Sequence, residues 1–260
     1  MKVTFQECCQ DLLRDSAGPP ARALQQWQLK PELIEVVPFV TEFVHKYLFQ
    51  IDPAEVELVM SRSGHALGNV QSTEQLPIIE NFWTPFALQH LLHWYIEKHR
   101  ALPTWEDFAA WMTRGDAAAL WHQPLAKKLG HPRDNDERLA WSHAAKWRLG
   151  KFYLSAIREI DVLARLRQAG CELKYHLLAD VLFRADFWSG NSIICLYFPN
   201  NNYRSGSETG RKPPAERFFS NAVPPFNIIH FPVGRQGFGK FWLADRDSIE
   251  KLAELISTTQ

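Results

Sequence analysis

The stretch that decides the fold runs from Glu159 to Asn202. It contains Lys174-Tyr-His-Leu-Leu178, then Asp180-Val-Leu-Phe-Arg-Ala-Asp-Phe-Trp188, a Ser189-Gly-Asn191 turn, and Ser192-Ile-Ile-Cys-Leu-Tyr-Phe198 ahead of Pro199. Short apolar runs rich in β-branched and aromatic residues, divided by turn formers, read as strands. A charged helix ending at Gly170 precedes them, so the order is helix, strand, strand, tight turn, strand. Asp180 and Asp186 are six residues apart, which on a regular strand points both to one face, with Arg184 between them.

Outward from this stretch toward the C-terminus, residues 200–214 are polar, without apolar periodicity, and long for a loop in a compact domain. A short helix is expected over Ala215–Asn221, strands over Phe226–Phe231 and Gly239–Ala244, and a last helix over Ser248–Ile256, capped by Asp245 and Asp247. The glycine-rich Gly234–Gly239 lies between two strands and reads as a hairpin loop, not as a phosphate cradle. No Walker loop, no dinucleotide fingerprint after a strand and no nucleophile elbow is present.

Outward toward the N-terminus, the spacing predicts a helix over Leu139–Ala169, interrupted or bent near Gly150. The polar run His131–Glu137 marks a boundary. Everything before it reads as helix: Val3–Arg14; a run over Pro31–Phe49 kinked or broken at Pro38; a start at Asp52-Pro53; Phe82–Arg100; a start capped by Thr104; and a segment from Asp116 that stops at Gly130. Eight of the ten tryptophans precede residue 148, where large rings suit gaps between crossing helices. The fold class is therefore α+β: an all-helical, Trp-rich part over 1–135 that docks a partner, then an α-β-β-β-α-β-β-α domain over 136–260 with a small mixed sheet.

Composition narrows the class. The chain is 260 residues, 46% hydrophobic and 22% charged, the balance of a globular protein rather than a disordered one. No apolar run is long enough to span a bilayer, and acidic residues stand where a secretory leader needs an apolar core, so a cytoplasmic location is expected. Cys8, Cys9, Cys171 and Cys195 have neither zinc-ribbon nor disulfide spacing. The net charge is zero, but residues 1–135 carry 12 cations against 16 acids and residues 136–260 carry 17 against 13. The second part is thus the one suited to a polyanion.

Glu159 on the helix, the Ala185-Asp186-Phe187 strand, the hairpin after it and the following helix and strand resemble the PD-(D/E)XK nuclease fold over about residues 140–256. The restriction endonucleases and transposon-end nucleases belong to that fold. The resemblance implies Asp186 as metal-bridging aspartate, Glu159 as helix acid, and Mg²⁺ or Mn²⁺ as cofactor. The family's acid-x-lysine on the next strand is missing: Cys195 and Tyr197 occupy those places, and neither is a hard oxygen ligand. Asp180, His176, Arg184, Lys174, His230 and Lys240 are the groups available to migrate into such a site. Contact with DNA or RNA needs less. Lys146, Arg148, Lys151 and Arg158 on the long helix, with Arg204, Arg211 and Lys212 in the polar loop, form the candidate phosphate-binding set, and Tyr203 could stack on a base. His90, His93 and His99 have near-helical spacing but lack an acid at metal-site offset.

The resulting expectation is a nucleic-acid-associated subunit of a prokaryotic multi-protein system, of mobile-element or antiviral-defence type, on an apparently inactive nuclease fold. A metal-dependent nuclease with a non-standard site and a purely structural interaction subunit are the alternatives.

Overall fold

A computed structural model describes residues 1–68, 70, 76–198 and 214–258. The helices in chain order are α1 (Phe5–Leu12), α2 (Pro19–Gln28), α3 (Val36–Glu42), α4 (Pro53–Arg62), α5 (Pro77–Glu80), α6 (Leu88–His99), α7 (Trp105–Thr113), α8 (His122–Leu129), α9 (Asn135–Gln168), α10 (Glu216–Phe219) and α11 (Arg246–Ser257). The strands are β1 (Val3–Thr4), β2 (Val44–His45), β3 (Phe187–Ser189), β4 (Ser192–Tyr197), β5 (Asn227–Pro232), β6 (Arg235–Phe238) and β7 (Phe241–Ala244). The chain is α+β, with a mainly helical first part and small sheets toward the C-terminus. Among the described residues no helix is long and apolar enough to cross a membrane.

Local chemistry sets several helix ends. Asp52 accepts from the Glu55 amide at 2.8 Å with Pro53 at the first helical position, and Asp245 accepts from the Ser248 amide at 2.7 Å. Thr104 and Asp107 form a reciprocal capping box at the start of α7. Gly130 closes α8 with φ +75°. The Pro31–Phe49 run breaks before Val36. Pro38 falls in the first turn of α3, where its missing amide costs nothing. The short β1–β2 pair is the exception to an all-helical first part.

The C-terminal sheet is mixed. β3 pairs antiparallel with β4 (Phe187↔Ile194), and β4 pairs parallel with β5 (Ile193↔Ile228), with α10 in the connection. β6 and β7 form a separate hairpin, so the glycine-rich segment expected as a loop is itself a strand. Two expected strands are corrected. Lys174–Leu178 contributes a single bridge, Lys174 to Trp188. Asp180–Trp188 is not one strand: Ala179–Phe183 is a π-helical turn, Arg184 is left-handed at φ +63°, and extended pairing begins only at Phe187. Phe183 decides this. It is fully buried between Phe218 and Phe219, ring centroids 5.6 and 5.9 Å away, and a coiled turn carries it there. Asp180 and Asp186 therefore do not share a strand face.

Helix α9 packs against α4, α5, α6 and α7 on one side and β7 and α11 on the other. The buried apolar residues of both parts form one continuous core. α1 joins the C-terminal sheet through polar contacts: Asp11 accepts from Lys174 Nζ at 2.7 Å and from the Trp188 indole at 2.9 Å, and Arg14 donates to Pro224 O at 2.7 Å. α9 runs unbroken through Gly150, where a bend was expected. A Cβ there would lie 3.1 Å from Ala66 O and 2.7 Å from Leu67 Cδ2, so glycine serves close approach of another segment. Gly150→Ala is expected to lower stability by about 1–3 kcal/mol through overpacking, although alanine is the better helix former. A rise in the chemical denaturation midpoint would refute this account.

Candidate functional site

Tyr175 is the centre around which the candidate carboxylates gather. Its ring is buried, and its hydroxyl donates to Asp180 Oδ2 at 3.1 Å. Burial raises the phenol well above its ordinary pKa, and the charges of Asp180, Glu159 and Asp186 raise it further. All three sequence-derived acids thus act on one phenol, although they arrive from three kinds of backbone. Glu159 comes from α9, with Ser155 Oγ donating to it at 3.3 Å. Asp180 comes from the π-helical turn. Asp186 sits just before β3: its amide donates to Ile194 O at 3.0 Å and its Oδ2 accepts from the Leu196 amide at 2.5 Å. Asp186 thereby takes the place of a strand partner for β4 just ahead of the first residue of β3.

Glu159, Asp180 and Tyr175 border a small cavity of about 20 Å³, with His93 and Gln89 from the helical part across from them. That space suits one water-sized occupant. Cys195 and Tyr197 do not line it. Cys195 is buried and donates to Arg184 O at 3.4 Å. Its thiol is pushed up to about 12 by burial first, then by Asp186 and Glu216. Tyr197 is exposed at the end of β4. Among the described residues no group of three or more His, Cys, Asp or Glu is arranged to hold a metal ion.

Behind Tyr175 lies an aromatic cluster that periodicity does not reveal. His45 packs against His93, Tyr175 and His176 with centroids 5.0, 4.9 and 5.3 Å apart, and His93 stacks on Tyr175 at 4.6 Å. His176 is anchored at both nitrogens, by the Leu178 amide on Nδ1 (3.1 Å) and by Phe43 O on Nε2 (3.2 Å). His45 is fully buried with neither ring nitrogen hydrogen-bonded. Burial drives these rings neutral: His93 falls to about 3, His176 and His90 to about 4, and His45 well below its usual value. Of the spaced histidines on α6, His90 Nδ1 accepts from the Ala87 amide at 2.9 Å and His99 lies against Tyr95 and Trp111. They serve packing and capping in separate places. His45 lies far from this stretch in sequence and carried no motif.

The cations of α9 do not form one free strip. Arg148 donates to Ile79 O at 2.6 Å and Arg158 to Trp242 O at 2.9 Å, and burial lowers the pKa of both. These are positioning groups for neighbouring backbone. Lys151 lies 5.6 Å from the Trp147 ring centroid, and Lys146 faces a groove against α7 and α8. Arg204, Arg211, Lys212 and Tyr203 lie outside the described residues. Lys174 pairs with Asp11, His230 with Glu216, and Lys240 is exposed beside the β6–β7 turn. The Arg184 Nε is buried without a hydrogen-bond partner.

A scan against family models, a search of curated proteins and a search of solved structures each found no match.

Two outcomes follow from this geometry. The buried histidines stay neutral in the native state while the unfolded chain takes up their protons below pH 6.5, so stability falls as pH drops from about 6.5 toward 4. At pH 5 each fully buried histidine costs about 2 kcal/mol; a denaturation midpoint unchanged between pH 7 and pH 5 would contradict it. Tyr175→Phe removes the donor to Asp180 and is expected to cost about 1–3 kcal/mol in urea unfolding.

Proposed function

We propose that this chain is a nucleic-acid-associated subunit of a cytoplasmic, prokaryotic multi-protein system of mobile-element or antiviral-defence type. In this reading its C-terminal part is a PD-(D/E)XK-like fold that has lost hydrolysis, and its helical part docks a partner protein. The observation that carries the reading is the pairing of a nuclease-like acid set with an unsuitable next strand. Glu159 lies on α9 and Asp186 just ahead of β3, which the reading requires, while Cys195 is held by Arg184 O and Tyr197 is exposed. The order of α9, the β3–β4 hairpin, α10 and the parallel β5 also supports it. A chain with these parts retains the frame of a phosphodiesterase without the lysine that positions water. Nucleic acid is then held by surface cations, Lys151 and Lys146 among them, through salt-dependent phosphate contacts.

A second reading, a metal-dependent DNA or RNA endonuclease with a non-standard third group, rests on the gathering of Glu159, Asp180 and Asp186 at Tyr175. In it Asp186 and Glu159 would hold Mg²⁺ or Mn²⁺. The described donors fall short of such a site, because Asp180 and Asp186 each spend an oxygen on a protein donor and Cys195 supplies no hard ligand.

Labelled single- and double-stranded DNA and RNA, incubated with the protein in Mg²⁺, Mn²⁺ or chelator, separate the readings. The expected result is binding that weakens with salt, weakens again in Lys151→Glu, and is never followed by cleavage. Absence of binding at low salt overturns the nucleic-acid role. Metal-dependent cutting that disappears in both Asp186→Ala and Glu159→Gln transfers the assignment to the second reading.

A further inference from the structure

Helices α7 and α8 and the N-terminal turns of α9 enclose an open groove of about 490 Å³, well inside the range of small-molecule sites. Its α9 wall is built by periodicity: Arg138, Trp141, Ser142, Ala145, Lys146 and Leu149 recur three and four apart and so form one helix face. Opposite stand Trp105 and Trp121, with Leu125 and Leu129 of α8. The groove is thus aromatic and aliphatic along its length, with two cations on one wall.

Those cations are not balanced from within. Neither Arg138 nor Lys146 has a carboxylate partner among the described residues, and Lys146 is half-buried beside apolar surface, where an ammonium gains from a counter-charge. Three acids of α7 and α9 are otherwise engaged. Glu137 pairs with Arg133, Glu106 accepts from the Gly64 amide, and Asp107 closes the Thr104 capping box. Trp121 lines the groove with its ring, while its indole N–H is buried away from solvent.

We propose that this groove binds a single-chain amphiphilic carboxylate. The tail lies along Trp105, Trp141 and Leu149, and the carboxylate is paired with Lys146 and steered by Arg138 at the rim. The shape favours a slender tail over a folded partner, and the charge favours an anion over a neutral lipid. The site is separate from the carboxylate cavity at Tyr175; it shares Lys146 with the proposed nucleic-acid surface, whereas Lys151→Glu tests that surface without touching the groove.

The test is isothermal titration of the full-length protein with dodecanoate below its micelle concentration, beside dodecanol and beside sedimentation with phosphatidylglycerol vesicles. Saturable one-to-one binding of dodecanoate is expected. It should be roughly tenfold weaker for the Arg138→Gln/Lys146→Gln pair, whose side chains make no structural bond, and lost in Ala109→Trp, which fills the groove from α7. Equal affinity of the double variant, or equal binding of dodecanol, overturns the charge pairing. No binding of monomeric dodecanoate overturns the ligand. If concentration-dependent dimerisation accompanies that failure and is abolished by Ala109→Trp, a second copy of this chain covers the groove. If the protein instead sediments with vesicles alone, the face is a membrane-contact surface.

Discussion

Helix α9 is the constraint on which the rest of the structure depends. Its 34 residues reach about 51 Å, and its C-terminal half is buried on several sides, which an isolated amphipathic helix cannot be. One fully buried acid holds this arrangement in register. Asp161 accepts from Arg165 Nε at 2.8 Å on its own helix and from the Ala244 amide at 3.2 Å on β7, while Arg165 also reaches Glu57 of α4 at 2.9 Å. A charge buried this deeply is tolerable because each contact is made, and removing Arg165 would leave it uncompensated. The same helix carries Glu159 inward, Arg148 and Arg158 to backbone carbonyls on opposite sides, and the apolar groove face near its start.

The Tyr175 region is polar without being wet. The Tyr175 phenol, two carboxylates and the His93 imidazole line a space the size of one water molecule, and His45 and His176 pack behind it. Such clusters are either satisfied internally or reserved for an occupant. Here several bonds are internal, as Asp180 accepts from the Tyr175 hydroxyl and Asp186 from the Leu196 amide. This favours a site that organises the joint between the helical part and the sheet over one open to a polymer. His93 of α6 and His45 of β2 approach Tyr175 from the first part, and Asp180 and Asp186 from the second, so the cluster sits where the two meet.

Much of the local organisation was legible in residue order. The Asp52, Thr104 and Asp245 starts, the Gly130 stop and the Ser189-Gly-Asn191 hairpin each carry a short-range mechanism, and each forms. Glu159 and Asp186 were both legible as candidate acids, and both charges act on Tyr175. The Asp180 strand was not. Leu177, Leu178 and Phe183 suit a coiled turn as well as a strand, and only the pocket between Phe218 and Phe219 chooses between them. The cation set was misread for a related reason: Arg148 and Arg158 look solvated in sequence, yet Ile79 O and Trp242 O, about 70 and 84 residues away, capture them.

What the sequence by itself determined is the α+β class and the helix boundaries with capping chemistry. All of these follow from contacts within a few residues. The tertiary structure alone decided that α9 is one unbroken helix, that Tyr175 and His45 pack beside the candidate acids, and that an apolar groove with two unbalanced cations opens beside α9. Those features depend on packing between segments far apart in the chain, and a pattern of neighbours along a sequence carries no record of which distant side chain will satisfy a buried group.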